Sequence, residues 1–304
     1  MRLTLEALET LDAIEEHGSF ARAAEALHRV PSAVTYTVQK LESDMGVPLF
    51  DRSGRRAKLT AAGRVLLERG RELLRQAESL ENSVKRAGHG WETQLVIAVD
   101  DIIPIEALFP VISAFDALMT GTRLRFTQEI FGGTWDALID RRADLTVGAG
   151  GDAPHGYGLL TRQIGIIPFV FVVAPHHPLT DAPEPLLPEI VARYRSVAAA
   201  DSSRRLPARS NGIQPGQEVL VVSSLAAKAA AQIAGLGVGY LPEHIARPHI
   251  EAGRLVERQV AAERSPVTMH LAWRSGEEGR ALQWFRDRIL EEPGIRALMG
   301  RPPG

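Results

Sequence analysis

Several side chains that donate or accept hydrogen bonds recur on one side of the stretch HRVPSAVTYTVQKLE. At 100° per residue, Ser32, Tyr36 and Gln39 fall together with Ser43, and Thr35 and Lys40 border them. Exposed helix positions usually carry Glu, Lys, Arg or Ala, which are strong helix formers. A face of short hydroxyls, one aromatic and one amide suits base edges in a major groove instead. Gln39 can pair with adenine, the Ser32 and Thr35 hydroxyls with several groups, and Tyr36 with a thymine methyl or a phosphate. Downstream, DRSGRRAKLT places Arg52, Arg55, Arg56 and Lys58 within seven residues. Cations there would hold phosphates, giving affinity without sequence information. Such a run alone reads as a solvated face; next to the hydroxyl- and amide-bearing helix it reads as part of a nucleic-acid surface.

No other constellation suggests a reaction. Asp100-Asp101 follows the first strand of the second half, where binding loops sit in α/β folds. No His, Lys or Ser arrangement makes it a catalytic pair, and one of the two is expected to cap the following helix. His176-His177 lacks a third ligand at useful spacing, so no metal is expected. GLGVG at 235–239 leads into a strand rather than from a strand into a helix, which excludes a dinucleotide loop. No enzyme activity and no cofactor are expected.

Three helices must position the polar face. The first runs from about Leu3 to Glu16, with Leu5, Leu8, Leu11 and Ile14 inward, and ends at His17-Gly18. Ser19 caps FARAAEAL, whose small residues permit close packing. Pro31 suits the first turn of the third helix, whose inward stripe is Val34, Val38, Leu41 and Met45. A short link between the second and third makes a helix-turn-helix. GVPLFDRSGRRAKLT then reads as a two-stranded hairpin turning at Ser53-Gly54. A long helix, capped by Thr60, runs to about Ala87. Its Leu66, Gly70, Leu73, Ala77, Leu80 and Val84 step 4-3-4-3-4, a seam that implies a partner helix from a second copy of the chain.

GHG at 88–90 marks the end of this region. Beyond it, LVIAV, LRFTQEI, DLTVGAG, FVFVVA, SVAAA, EVLVV, GVGYL and MHLAW read as strands alternating with helices such as SSLAAKAAAQIA. That order predicts α/β with a largely parallel sheet, in two lobes. Across 304 residues, 45% are hydrophobic, 24% are charged and none is cysteine. Disulfide and thiolate chemistry are therefore excluded. The net charge of −2 argues against general polyanion binding, yet Gly18 to Thr60 holds seven Lys or Arg against four Asp or Glu. No apolar stretch is long enough to span a membrane, and the acidic N-terminus does not suit a signal peptide. A cytoplasmic protein is expected.

GSFARAAEAL, SAVTYTVQKLE and GVPLFDRSGRRAKLTAAG, in that order, with HPL and AGLGVGYLP later, resemble the LysR-type transcriptional regulators across nearly the whole chain. The resemblance implies a winged helix-turn-helix DNA-binding domain (1–60), a linker and dimerisation helix (61–90) and an effector-binding domain (91–304). The last would be two-lobed and similar to periplasmic binding proteins, with lobe I at about 91–162 and 268–304 and lobe II at about 163–267. It also implies a dimer or dimer of dimers on pseudo-palindromic promoter DNA, with a small co-inducer in the interlobe cleft. Strand-end loops would line that cleft: Asp100, Asp101, Phe131, Gly132, Gly133, Gly148, Asp201, Ser202 and Ser203. The family often has Gln, Ser, Arg and Gln where this chain has Pro31, Thr35, Tyr36 and Thr37, so a distinct operator is expected. Two aspartates facing the cleft would repel an anion, so the expected co-inducer is neutral, cationic or rich in hydroxyls, such as a phenolic compound. The rival class is a two-lobed small-molecule receptor without a DNA role, which would have no use for the first ninety residues.

Overall fold

The computed structural model describes residues 3–51, 58–89, 91–208, 212–261 and 264–299. By its contacts the chain divides into two units, residues 1–84 and 85–304. In the first unit, α1 (Leu5–His17) starts at Thr4, whose hydroxyl accepts from the Ala7 N–H at 3.2 Å, and ends at Gly18 with φ 69°. Ser19 caps α2 (Phe20–Ala26), and Pro31 opens α3 (Pro31–Met45). Leu11, Ile14, Val34, Val38 and Leu41 meet in one core, and Leu8 is buried against Gly70. Each such burial contributes roughly 1.5–3 kcal/mol. Ala23 and Ala24 are fully buried, so their missing side-chain bulk lets α2 sit close against its neighbours. Leu5 and Met45, expected inward, are exposed because they lie at the outer ends of α1 and α3, beyond the reach of the core.

The short hairpin pairs β1 (Phe50–Asp51) with β2 (Lys58–Leu59), Phe50 facing Leu59. Glu42 on α3 ties it down, its carboxylate accepting from the N–H groups of Leu49 at 2.8 Å and Phe50 at 3.1 Å. Thr60 caps α4 (Ala61–His89), accepting from the Gly63 N–H at 3.0 Å, and donates to the Pro48 carbonyl at 2.8 Å. A Cβ on Gly63 would lie 2.2 Å from the Leu49 carbonyl oxygen, so only glycine lets α4 approach the hairpin. Along α4 the seam divides. Gly70 is buried against Leu8, whereas Leu73, Leu80 and Val84 are exposed. The helix runs two residues beyond the expected Ala87, through His89.

In the second unit the elements are β3 (Gln94–Asp100), α5 (Phe109–Asp116), β4 (Arg123–Glu129), α6 (Gly133–Ile139), β5 (Leu145–Gly150), β6 (Leu159–Ile167), β7 (Phe169–Val173), α7 (Pro188–Val191), β8 (Ser196–Ala199), β9 (Val219–Val222), α8 (Leu225–Ile233), β10 (Gly239–Pro242), α9 (Glu243–Glu251), β11 (Val256–Glu257), β12 (Val267–Arg274), α10 (Arg280–Glu291) and α11 (Pro293–Leu298). One sheet has the order β4-β3-β5-β12-β6, a second β10-β7-β11, and β8 pairs β9. The first sheet is mixed rather than largely parallel. β3 runs parallel to β4 and β5, while β12 is antiparallel to both β5 and β6. Helical crossovers through α5 and α6 keep strand direction; β12 returns from the second sheet and enters reversed. Leu95, Ile97, Val99, Leu145, Val147, Leu271 and Trp273 face Phe115 and Phe285 in the largest core. The chain leaves this sheet at Pro168 and re-enters after Pro266, where Ile167 pairs Val267. The strand ends of two lobes thus face each other across a cleft.

Candidate functional site

On α3, Ser32, Tyr36, Gln39, Lys40 and Ser43 lie exposed together, Tyr36 with 65% of its surface accessible. Thr35 is half-buried, and its hydroxyl donates to the Pro31 carbonyl at 2.9 Å, which leaves it only an acceptor. Lys58 is exposed on β2; Arg52, Arg55 and Arg56 lie outside the described residues. Two features of this surface were not read from sequence. The residue preceding α3 is Val30, which provides no side-chain cap, so the positive helix N-terminus is left open to an anion. Val30 itself is 63% exposed, an apolar group fit for a thymine methyl.

In the second unit, a cavity of about 470 Å³ opens between the lobes. Its walls include Asp100, Ile102, Phe131, Phe169, Arg264 and Thr268. A small niche of about 10 Å³ shares Ile102, Phe131, Phe169 and Arg264 with it and adds Leu225, Lys228 and Tyr240. Of the residues expected from sequence, Asp100 and Phe131 line the cavity. The others hold its rim together. Asp101 turns away: its carboxylate accepts from the Leu225 N–H at the start of α8 at 2.5 Å and from the Gln128 side chain. It therefore caps a helix, though one far along the chain rather than the next. Ser202 donates to Glu129 at 2.5 Å and accepts from the Ile130 N–H at 2.9 Å. Asp201 accepts from the Ser203 hydroxyl at 2.6 Å and the Gly132 N–H at 3.3 Å. Gly132 and Gly133 pack directly under these side chains, and Gly148 packs on Ile103 and Asp100.

Arg142 extends the rim, pairing with Glu129 and, at 3.1 Å, with Asp136. Burial pushes the Asp136 carboxyl up. The N–H groups of Arg205 at 2.9 Å and Leu206 at 3.1 Å, together with Arg142, outweigh it and hold the carboxyl below its ordinary value.

The charge inside the cleft differs from two repelling aspartates. Asp100 is buried, and burial raises its pKa to about 8, against the opposing N–H groups of Ile102 and Phe131. At neutral pH it is mostly a neutral carboxyl. Arg264 lies with its guanidinium carbon 3.6 Å from the centre of the Phe169 ring, and burial draws it down to about 10. Lys228 is 6% exposed and is drawn down to about 7 by burial and then by Arg264. Sequence reasoning missed both cations. For Lys228 a signal was present: with Leu225, Ala229 and Gln232 it forms the buried i, i+3, i+4, i+7 stripe of α8. His177 is occupied structurally, its Nδ1 accepting from the Leu179 N–H at 3.2 Å, and no cluster of three metal-ligating residues occurs among the described residues. No described helix is long and apolar enough to cross a membrane.

Residues 5–64 match the bacterial regulatory helix-turn-helix proteins of the lysR family, and residues 88–294 match the LysR substrate binding domain. The chain is 40% identical over 301 residues to the uncharacterized HTH-type transcriptional regulator YeeY of Escherichia coli (strain K12), covering 99% of this chain and 97% of that protein. It is 36% identical over 296 residues to the HTH-type transcriptional regulator PunR of the same organism, covering 97% and 96%. Among solved structures, full-length CbnR complexed with its target DNA aligns with a TM-score of 0.61 at 19% identity, covering 95% of this chain and 100% of that one. The probable transcriptional regulator PA0477 from Pseudomonas aeruginosa aligns with a TM-score of 0.59 at 21% identity, covering 95% and 96%. An exposed polar face on a helix-turn-helix and a cleft in an α/β unit are the two halves of one design, and the chain belongs to the LysR family of DNA-binding transcriptional regulators.

Proposed function

We propose that this regulator reads its operator with the outward face of α3 and switches on a small molecule held in the interlobe cleft. Ser32, Thr35, Tyr36 and Gln39 would meet base edges, with Lys40 at the margin. Arg52, Arg55, Arg56, Lys58 and the open N-terminus of α3 would hold phosphates. The observation that carries this reading is the exposure of Tyr36 and Gln39 on the helix of a helix-turn-helix, where none of the described residues covers them. Leu73, Leu80 and Val84, exposed on one seam of α4, support pairing with the same helix of a second chain. Two reading helices then meet two half-sites, which is the geometry of a pseudo-palindromic site. We assign residues 1–60 to DNA binding, 61–90 to dimerisation and 91–304 to the effector, in a cytoplasmic protein without enzymatic activity.

Phe131 and Phe169 both line the cleft, which supports a co-inducer with an apolar face, such as a phenolic or hydroxyl-bearing ring. Gel-shift titration of Gln39→Ala on operator and random DNA tests the reading face. The expected loss is about 1–3 kcal/mol on the operator alone, with relaxed preference at one base pair. Equal loss on both DNAs removes Gln39 from the reading set.

A further inference from the structure

Lysine is scarce in this chain. The sequence holds 31 arginines against four lysines, Lys40, Lys58, Lys85 and Lys228, and from residue 86 onward Lys228 stands alone among 21 arginines. A guanidinium stays charged at any attainable pH, whereas an amine can give up its proton and become a nucleophile. The one amine kept in this region lies on a cavity wall. Lys228 is 6% exposed in the first turn of α8 and lines the small niche, which shares Ile102, Phe131, Phe169 and Arg264 with the cavity of about 470 Å³. Among the described residues no hydrogen bond or ion pair holds its Nζ, and Nζ is not one of the side-chain atoms sealed from solvent without a partner. Its surroundings favour the uncharged form. The walls are largely apolar, the α8 dipole disfavours a cation in the first turn, and Arg264 is a second cation. Of the nearby acids, Asp101 caps α8, Asp201 holds Ser203 and Gly132, and Asp100 is mostly neutral. Burial first, and Arg264 second, draw the amine down to about 7. A lysine desolvated beside another cation is one of the recurring forms of an activated nucleophile.

We infer that Lys228 is a covalent capture site, at which the cleft takes up a neutral aldehyde or ketone as a reversible imine on Nζ. This rests on reading the cleft as the effector site and names the bond that holds what fills it. The amine lone pair bonds to the carbonyl carbon, the carbonyl π pair moves to oxygen, and a proton passes from nitrogen to that oxygen, giving a carbinolamine. The C–O bond then breaks as the second nitrogen proton leaves, the oxygen departs as water, and a C=N bond remains. Nothing is oxidised or reduced, and water returning to the site reverses the step. The niche holds the amine, while the larger cavity has room for the rest of the molecule.

The test treats the full-length protein with benzaldehyde, butanone or benzyl alcohol in the millimolar range, adds cyanoborohydride to fix any imine, and maps adducts by mass spectrometry. At pH 7 about half of the Lys228 amines are free, against fewer than about one in a thousand for an ordinary lysine. Lys228 is therefore expected to gain the adduct at least about tenfold faster than the exposed Lys40 and Lys58. Its labelling rate should be half-maximal near pH 7, and Arg264→Leu should move that midpoint upward. The two carbonyl compounds should raise Tm, and Lys228→Met should lose both the adduct and the rise. Labelling of Lys228 no faster than that of Lys40 and Lys58 would overturn the proposal. Should Lys228→Met fail to fold, the wild-type map and its pH midpoint decide. Benzyl alcohol protecting as well as benzaldehyde, with Lys228 unlabelled, would sink the imine and leave the cleft reading intact. Selective labelling of Lys228 that changes neither Tm nor DNA affinity would uphold the imine and sink the switch.

Discussion

Glu42 links α3 to the short hairpin, and replacing it isolates what that link contributes. Its carboxylate takes two backbone N–H groups, Leu49 at 2.8 Å and Phe50 at 3.1 Å. A hydrogen bond to a charged group contributes roughly 1.5–3 kcal/mol when well shielded. Glu42 is half-buried, so about 1 kcal/mol per bond, or about 2 kcal/mol in all, is the reasonable magnitude for Glu42→Ala. For a unit of residues 1–84, that corresponds to ~8–16 °C in its calorimetric transition. Both N–H groups meet the same oxygen, which Glu42→Gln keeps as an uncharged acceptor, so that variant should recover about half. The functional consequence is separable from base reading. On the proposed reading, a hairpin freed from α3 would no longer hold Lys58 at the DNA backbone, so affinity should fall on every sequence alike. The salt dependence should flatten by ~0.9 for each phosphate that the hairpin ceases to neutralise. Gel shifts at several salt concentrations read both quantities. A transition shifted by less than ~2 °C, or a loss confined to the operator, would refute the reasoning.

Further outcomes follow from other parts of the molecule. Gly63→Ala sets a Cβ 2.2 Å from the Leu49 carbonyl oxygen and should destabilise the N-terminal unit by about 1–3 kcal/mol in urea denaturation. Leu80→Glu, on a side chain 67% exposed, should leave stability unchanged and split the oligomer in sedimentation velocity. Asp101→Ala removes the acceptor of the Leu225 N–H and should cost about 1 kcal/mol, read by denaturation. Asp100 has its folded pKa raised from 3.8 to about 8, so the folded state holds a proton that the unfolded state has lost between those values. Its contribution is complete below pH 4 and fades as pH rises toward 8. Asp100→Asn should remove a decline of at most about 1.4 kcal/mol per pH unit, measured by denaturation at pH 5 and 7.5.

The N-terminal unit was legible because its signals are local. Gly18, Ser19 and Pro31 mark helix ends by backbone preference alone, and Val34, Val38 and Leu41 repeat at helical spacing. Where local spacing met a terminus it failed: Leu5 and Met45 keep the period but have nothing to pack on. Strand β6 escaped because LLTRQIGII lies at the sheet edge with its first half exposed, and so carries no strong apolar pattern. The cleft was only half legible. Strand ends located Asp100 and Phe131, but the direction of Asp101 depends on a helix more than a hundred residues away. Arg264 stands in a loop whose sequence gives no hint of Phe169 beneath it.

The bonds from Ser202 and Asp201 to residues 129–132 behave as a latch on one jamb of a door. The two strand crossings at Pro168 and Pro266 stand at the hinge post, beside the Arg264 wall. Thr268 and Ser265 line the room behind. Swaps there would alter who is admitted, whereas swaps at the latch would change how far the door can swing.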